Sequence, residues 1–335
     1  MGKIIKVLIW IGLIVFGICG GYFWGFTNEK AVLDKKLNVI RPIRNNIAGY
    51  KFVDPLLAYI IPSADQEADM LALKNKISNS LDSGKKKNNL SEASVFFYDL
   101  NKGRWIGVNE TEKYNPASML KVVIMVAYFK DNERISGTLN RYLTYTKDIN
   151  DFVNQDKFNT SSDLKVGESY KASDLINKMI IDSDNGAEAL LLANISQTSL
   201  DSIYNALNIE NPNGNNDFVI SPRTYSLFLR ILYSATYLDS VDSEKALNIL
   251  SETTFSDGLT ANLPKNTVVS HKFGEHIVQE DGQLQQIELH DCGIIYYPKN
   301  PYLLCVMTKG ASLGGLEKTI SDISSLVYQN YSLLK

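Results

Sequence analysis

The chain has 335 residues, of which 44% are hydrophobic and 21% charged, with a formal net charge of −3. That length holds one large domain or two small ones, and the faintly acidic balance gives no electrostatic case for nucleic acid as a partner. Three cysteines are too few for a disulfide framework.

From Val7 to Phe26 run 20 residues without a charge, enough at about 1.5 Å per residue to cross a hydrocarbon core of about 30 Å. Tyr22, Phe23, Trp24 and Phe26 crowd the far end, where aromatic side chains favour the membrane interface. No small-x-small cleavage site follows, and bulky Ile18 precedes Cys19, so an uncleaved anchor over residues 1–26 is expected. Lys3 and Lys6 before the span, against Lys30, Lys35, Lys36, Arg41 and Arg44 after it, leave its orientation open on a charge count. Residues 27–62 read as a polar tether interrupted by Pro42, Pro55 and Pro62. Its apolar stretch Asp54–Pro62 is able to pack on the domain expected over residues 63–335.

Residues 64–82 place Met70, Leu71, Leu73, Ile77 and Leu81 at helical spacing. Lys85-Lys86-Lys87, beside Gly84 and Asn88-Asn89, read as a solvated loop. SVFFYDL and RWIGVNE, joined across Asn101-Lys102-Gly103, carry the signature of a β-hairpin. Residues 116–250 are mainly helical, with candidates at 118–130, 173–182, 185–194, 199–206 and 222–236. Strand patterns return at Thr267–Lys272, Glu288–Tyr297 and Tyr302–Thr308, and a last helix puts Leu316, Ile320, Ile323 and Val327 on one face. Two strands, a helical insertion, three strands and a closing helix predict an α/β fold. It consists of a five-stranded antiparallel sheet with helices on both faces and an all-helical subdomain. A turn centred on Lys299-Asn300 sets Cys292 opposite Met307 or Thr308, which predicts that Cys292 and Cys305 are free, buried thiols.

Three S-x-x-K tetrads occur, starting at Ser83, Ser118 and Ser162. Those at Ser83 and Ser162 lie in polar, loop-like surroundings, whereas Ser118-Met119-Leu120-Lys121 opens an apolar helical run. A three-residue offset on a helix puts Ser118 and Lys121 on one face. Burial there disfavours the ammonium and makes the lysine able to take the serine proton. Ser183-Asp184-Asn185 stands once, between two helical runs, where a helix cap alone would account for it. His271-Lys272-Phe273-Gly274 ends a strand pattern, a place where a solvated lysine is ordinary.

In this order, with NPASMLK, KASDLINKMIIDSDNGAEALL and HDCGIIYYPKNPYLLCVMTKG around them, these segments resemble the penicillin-recognising serine enzymes. The likeness is greatest to class A β-lactamases and related penicillin-binding proteins, and covers about residues 64–335. It implies a β-lactamase/transpeptidase-like fold and an acyl-enzyme on Ser118, with Lys121 as the proton acceptor. It further implies that Ser183 relays a proton to the leaving nitrogen, Asn185 holds the substrate amide and Lys272 supplies positive charge near the substrate carboxylate. Backbone N–H groups of Ser118 and Glu275 would form the oxyanion hole, with Gly274 and Phe273 beside them, and Asp184 would be structural. No cofactor or metal is implied.

The pattern departs in three places. Phe273 stands where the family has Thr or Ser, so a hydroxyl that donates to the substrate carboxylate is missing. His290-Asp291-Cys292 stands where many class A enzymes place an arginine, with His290 expected as a satisfied surface histidine. The E-x-x-L-N loop, whose glutamate activates the deacylating water, has no counterpart in LNIENPNGNNDFVISPRTYS, where Glu210 and Asp217 are the only acids. The sequence therefore leads to a membrane-anchored serine acyl hydrolase outside the cytoplasm, acting on a β-lactam or a peptidoglycan-derived peptide. A DD-peptidase slow to deacylate and a non-catalytic domain that binds cell-wall material are the other two readings.

Overall fold

The computed structural model describes residues 41–44, 50–54, 56–60, 67–149, 162–212, 218–280, 283–332 and 334. The predicted anchor over residues 1–26 lies outside them. Among the described residues no helix is long and apolar enough to cross a membrane.

Two short strands, β1 (Arg41–Arg44) and β2 (Leu56–Ile60), pair antiparallel within the expected tether. Helix α1 (Glu67–Lys87) follows, then β3 (Leu90–Asp99) and β4 (Trp105–Val108). A 3-10 turn (Ala117–Leu120) leads into α2 (Lys121–Arg134). The small pair β5 (Tyr142–Thr144) and β6 (Ser169–Lys171) precedes α3 (Ala172–Ile181), α4 (Asn185–Leu192), α5 (Gln197–Leu207), α6 (Pro222–Tyr233) and α7 (Ser240–Ser251). The chain ends with β7 (Val269–Glu280), β8 (Gln283–Ile295), β9 (Tyr302–Gly310) and α8 (Leu313–Tyr331).

The main sheet is antiparallel and ordered β4-β3-β9-β8-β7, the five strands expected. Its inner strands are buried on both faces, which is why VFFY and LLCVM read as continuous apolar runs. On one face Met70, Leu73, Ile77 and Leu81 of α1 pack with Leu316, Ile320, Ile323 and Val327 of α8. The other face carries α6 and the helical subdomain, at whose centre every residue of α2 from Lys121 to Phe129 is buried. A helix apolar on all sides belongs inside a core.

Four expectations are corrected. Lys85, Lys86 and Lys87 form the exposed last turn of α1, and Ser83 lies inside that helix, so neither is in a loop. Good helix formers carry the pattern through Gly84, which costs only about 1 kcal/mol in a helix. Helix α7 was absent from the candidates; its polar face dilutes the apolar period. The β8–β9 register centres one residue earlier than the assumed turn and puts Cys292 directly opposite Cys305, where the two are joined in a disulfide rather than free. His290 is fully buried in the sheet and not on the surface.

Residues Tyr50–Asp54 dock on the domain. The Glu244 carboxylate of α7 accepts from the backbone N–H groups of Lys51, Phe52 and Val53 at 2.6, 2.8 and 3.0 Å. The Asp54 N–H donates to the Tyr233 carbonyl at 2.8 Å, and Phe52 and Val53 join the core. Replacing Glu244 by Ala is expected to lower unfolding free energy by about 2 kcal/mol, because bonds to an ionised acceptor are lost. Thermal melts of the two proteins check this, and an unchanged melting temperature contradicts it.

Candidate active site

The turn that carries Ser118 is held before it reaches that residue. The Asn115 N–H donates to Glu288 Oε2 at 2.9 Å, and the Asn115 carbonyl accepts from His290 Nε2 at 3.0 Å. The Asn115 side-chain oxygen accepts from the Ala117 N–H at 2.9 Å. Ala117 has φ +45, a left-handed conformation that costs a residue with a Cβ about 1–3 kcal/mol. These clamps fix that bend, and it brings half-buried Ser118 to the start of the 3-10 turn. Backbone N–H groups at such an end have no intrahelical acceptor. From behind, Tyr225 donates to the Met119 carbonyl at 3.0 Å.

Lys121 follows with no exposed surface. Its Nζ donates to the Ser183 carbonyl at 2.6 Å, to Ser183 Oγ at 3.2 Å and to Asn185 Oδ1 at 2.7 Å. Ser183 has φ +58, the bend that turns both of its oxygens toward this amine. Asp184 caps α4 by accepting from the Ala187 N–H at 2.8 Å, the structural role expected of it. Lys272, equally buried, donates to Ser183 Oγ at 3.0 Å. One hydroxyl thus lies between two amines. Burial pushes the Lys272 amine well below the usual lysine range, and Lys121 lowers it further, with Asp291 and Glu188 opposing.

Strand β7 is the edge of the sheet and runs beside the turn that carries Ser118. The Val268 carbonyl bonds Tyr296 across the pair, whereas the His271 and Phe273 carbonyls bond side chains on the open edge. The alternation of an antiparallel ladder places the Glu275 N–H on that same edge. Gly274 lets the strand come close, since a Cβ there would overlap the Pro116 carbonyl and press on Met119. The Phe273 ring stacks on Phe255 with centroids 4.2 Å apart and 21° between planes, and Lys272 Nζ lies 4.2 Å over it. Asp291 Oδ2 accepts from the Leu259 N–H at 2.9 Å and Oδ1 meets His271 Nδ1 at 2.9 Å, which fixes the segment bearing Phe255. Half-burial raises the Glu275 carboxyl above its usual range.

The structure therefore brings together the segments that carry Ser118, Lys121, Ser183, Asn185, Lys272, Phe273, Gly274 and Glu275. Glu210 lies exposed beyond α5, and Asp217 falls outside the described residues. The site also holds an acid that sequence reasoning missed. Glu188 Oε2 of α4 lies 3.4 Å from Lys121 Nζ. The signal was present, because Asn185 and Glu188 are three residues apart and so share a helix face. A cavity of about 400 Å³ lined by Phe52, Phe129, Ile176 and Ile249 lies at the docked N-terminal segment, away from Ser118. Among the described residues, the acidic group Glu133, Asp239 and Asp242 is explained by helix capping and by Lys130 and Lys245.

The fold and the serine–lysine cleft define the class, and comparison with known proteins agrees. The sequence profile described as "Beta-lactamase enzyme family" matches residues 72–331. The chain belongs to that family. Solved structures share the fold. A PBP-A variant, an acyl-enzyme complex with penicillin G, aligns with TM-score 0.66 at 22% identity over 79% of this chain and 97% of its own. A β-lactamase from Chitinophaga pinensis aligns with TM-score 0.65 at 19% identity over 77% and 98%. The extended-spectrum β-lactamase TLA-3 aligns with TM-score 0.67 at 22% identity over 79% and 100%. No curated protein sequence matches the chain.

His290 gives the site a pH signature. The Thr308 N–H donates to its Nδ1 at 3.2 Å, so this ring is neutral with the proton on Nε2. Burial holds it below its usual value, against Glu288 and the Asn115 carbonyl. An unfolded chain binds a proton here below about pH 6.5 while the folded one does not. Stability is therefore expected to fall as pH drops through that value. Replacing His290 by Gln should flatten the acid-side fall in melting temperature between pH 8 and 5; an equally steep fall refutes this.

Proposed function

We propose that the protein is a membrane-anchored active-site-serine acyl hydrolase that opens β-lactam or related cell-wall amide bonds through an acyl-enzyme on Ser118. The observation that carries this reading is the buried Lys121 amine, one helical turn from Ser118 and bonded to Ser183 and Asn185. A domain that only binds has no use for a desolvated amine beside a hydroxyl. In the proposed sequence Ser118 Oγ attacks the carbonyl and its proton passes to Lys121. The proton then moves through Ser183 Oγ to the leaving nitrogen, and the Ser118 and Glu275 N–H groups receive the oxyanion. Asn185 holds the substrate amide. Lys272, whose charge is disfavoured in the empty cleft, gains a counter-ion when a substrate carboxylate arrives.

The charge-free run from Val7 to Phe26 supports the anchor. A disulfide between Cys292 and Cys305 supports a location outside the cytoplasm, since disulfides persist in oxidising compartments. The full chain, produced in cells, is expected to be labelled at Ser118 by a fluorescent penicillin and to sediment with membranes. Deleting residues 1–26 should release the labelled protein, and Ser118→Ala should abolish the label. No label at millimolar reagent on folded protein overturns the hydrolase reading, and label that stays soluble in the full chain overturns the anchor.

Phe273 favours a second reading, a penicillin-acylated peptidase with poor affinity for β-lactam carboxylates. One hydrogen bond to a charged group is worth roughly 1.5–3 kcal/mol, about one to two powers of ten. Phe273→Thr is therefore expected to raise the acylation rate by carboxylate-bearing β-lactams roughly tenfold or more. An unchanged or slower rate shows that the ring is not what limits recognition.

A further inference from the structure

Hydrolysis of an ester on Ser118 needs a base for water, and Lys121 is poorly placed to be that base. Its Nζ faces the Ser183 carbonyl, Asn185 Oδ1 and Glu188, three acceptors that favour the protonated amine. Lys272 shares Ser183 Oγ and is fully buried. Of the acids, Glu275 has its carboxyl close enough to Glu317 to raise that group, and Glu210 is exposed beyond α5. Glu188 differs from both. Its carboxylate lies 3.4 Å from Lys121 Nζ, and its side chain is 26% exposed, so solvent reaches this side chain beside Lys121. It projects from α4, whose first turn Asp184 caps.

We infer that Glu188 is the general base that activates water to clear the Ser118 acyl-enzyme, an inference that rests on the acyl-hydrolase reading. The Glu188 carboxylate takes a proton as the water oxygen bonds to the ester carbonyl carbon. The tetrahedral intermediate collapses, the bond from carbon to Ser118 Oγ breaks, and Oγ takes a proton from the Lys121 ammonium. Glu188 then returns its proton to Lys121 across their contact, which restores the ion pair. One water is consumed, a carboxylic acid leaves, and the site ends as it began. The same pair serves acylation: a proton shifted from Lys121 to Glu188 leaves a neutral amine for Ser118.

The test compares full-length wild type with Glu188→Gln and Glu188→Asp after labelling with fluorescent penicillin, following label remaining on Ser118 over time. General bases contribute about 10²–10⁴-fold, so Glu188→Gln is expected to prolong the acyl-enzyme at least 100-fold. Glu188→Asp should recover part of the release rate. Hydroxylamine, which attacks esters without a base, should release the label from Glu188→Gln, an effect that distortion of the cleft would not give. Label that forms and leaves Glu188→Gln at the wild-type rate overturns this inference alone, as does a wild-type adduct that water does not clear. Absence of any label on the wild type overturns the hydrolase reading as well.

Discussion

An amine with no exposed surface has to be satisfied entirely by protein, and Lys121 sets that requirement for the whole cleft. Meeting it takes a carbonyl and a hydroxyl from Ser183, an amide oxygen from Asn185 and a carboxylate from Glu188. All of these come from one stretch of six residues. The stretch can supply them because Ser183 adopts a left-handed bend and α4 starts immediately after it. Helix α2 is buried on every side from Lys121 to Phe129, so the lysine at its start has nowhere to send its charge except toward that segment. The helical subdomain and the sheet meet at this group of atoms, with Lys272 reaching in from β7.

The left-handed bends at Ala117 and Ser183 lie on either side of the same amine. Each costs energy that a relaxed chain would avoid, and each is held by neighbours. Asn115, Glu288 and His290 fix the first; the Lys121 bonds and the Asp184 cap fix the second. Backbone strain persists only where surrounding contacts over-determine it. Here it sets Ser118 in the 3-10 turn and places the Ser183 hydroxyl between two amines.

Much of this was legible in the sequence. The strand and helix periods gave the five-stranded sheet and its helical insertion, and the apolar run after Ser118 separated that S-x-x-K from the two others. What was not legible depended on register and on distance through space. A loop one residue off in its centre moved Cys292 from Met307 to Cys305. His290 looked like a surface residue because nothing local says that β9 and Tyr114 close over it. Glu188 is hidden for a different reason: it sits one turn past Asn185 on α4, and only the fold brings that turn to Lys121. Helix α7 blurred because polar Asp242 and Ser243 take the first buried places on its inner face, which leaves only Ala246, Leu247 and Leu250 to carry the apolar period.

Positions 273 and 274 are neighbours, yet the structure gives them opposite freedom to vary. The side chain at 273 leans on Phe255, a contact made of flexible ring edges and faces that another side chain can rearrange. At 274 the obstacle is the Pro116 carbonyl, a backbone atom of the turn before Ser118 that cannot step aside without carrying Ser118 with it. In this family fold, descent can therefore trade a hydroxyl for a phenyl ring at the first position and change what the cleft recognises. At the second it can trade nothing, because the smallest possible addition would displace Ser118 itself.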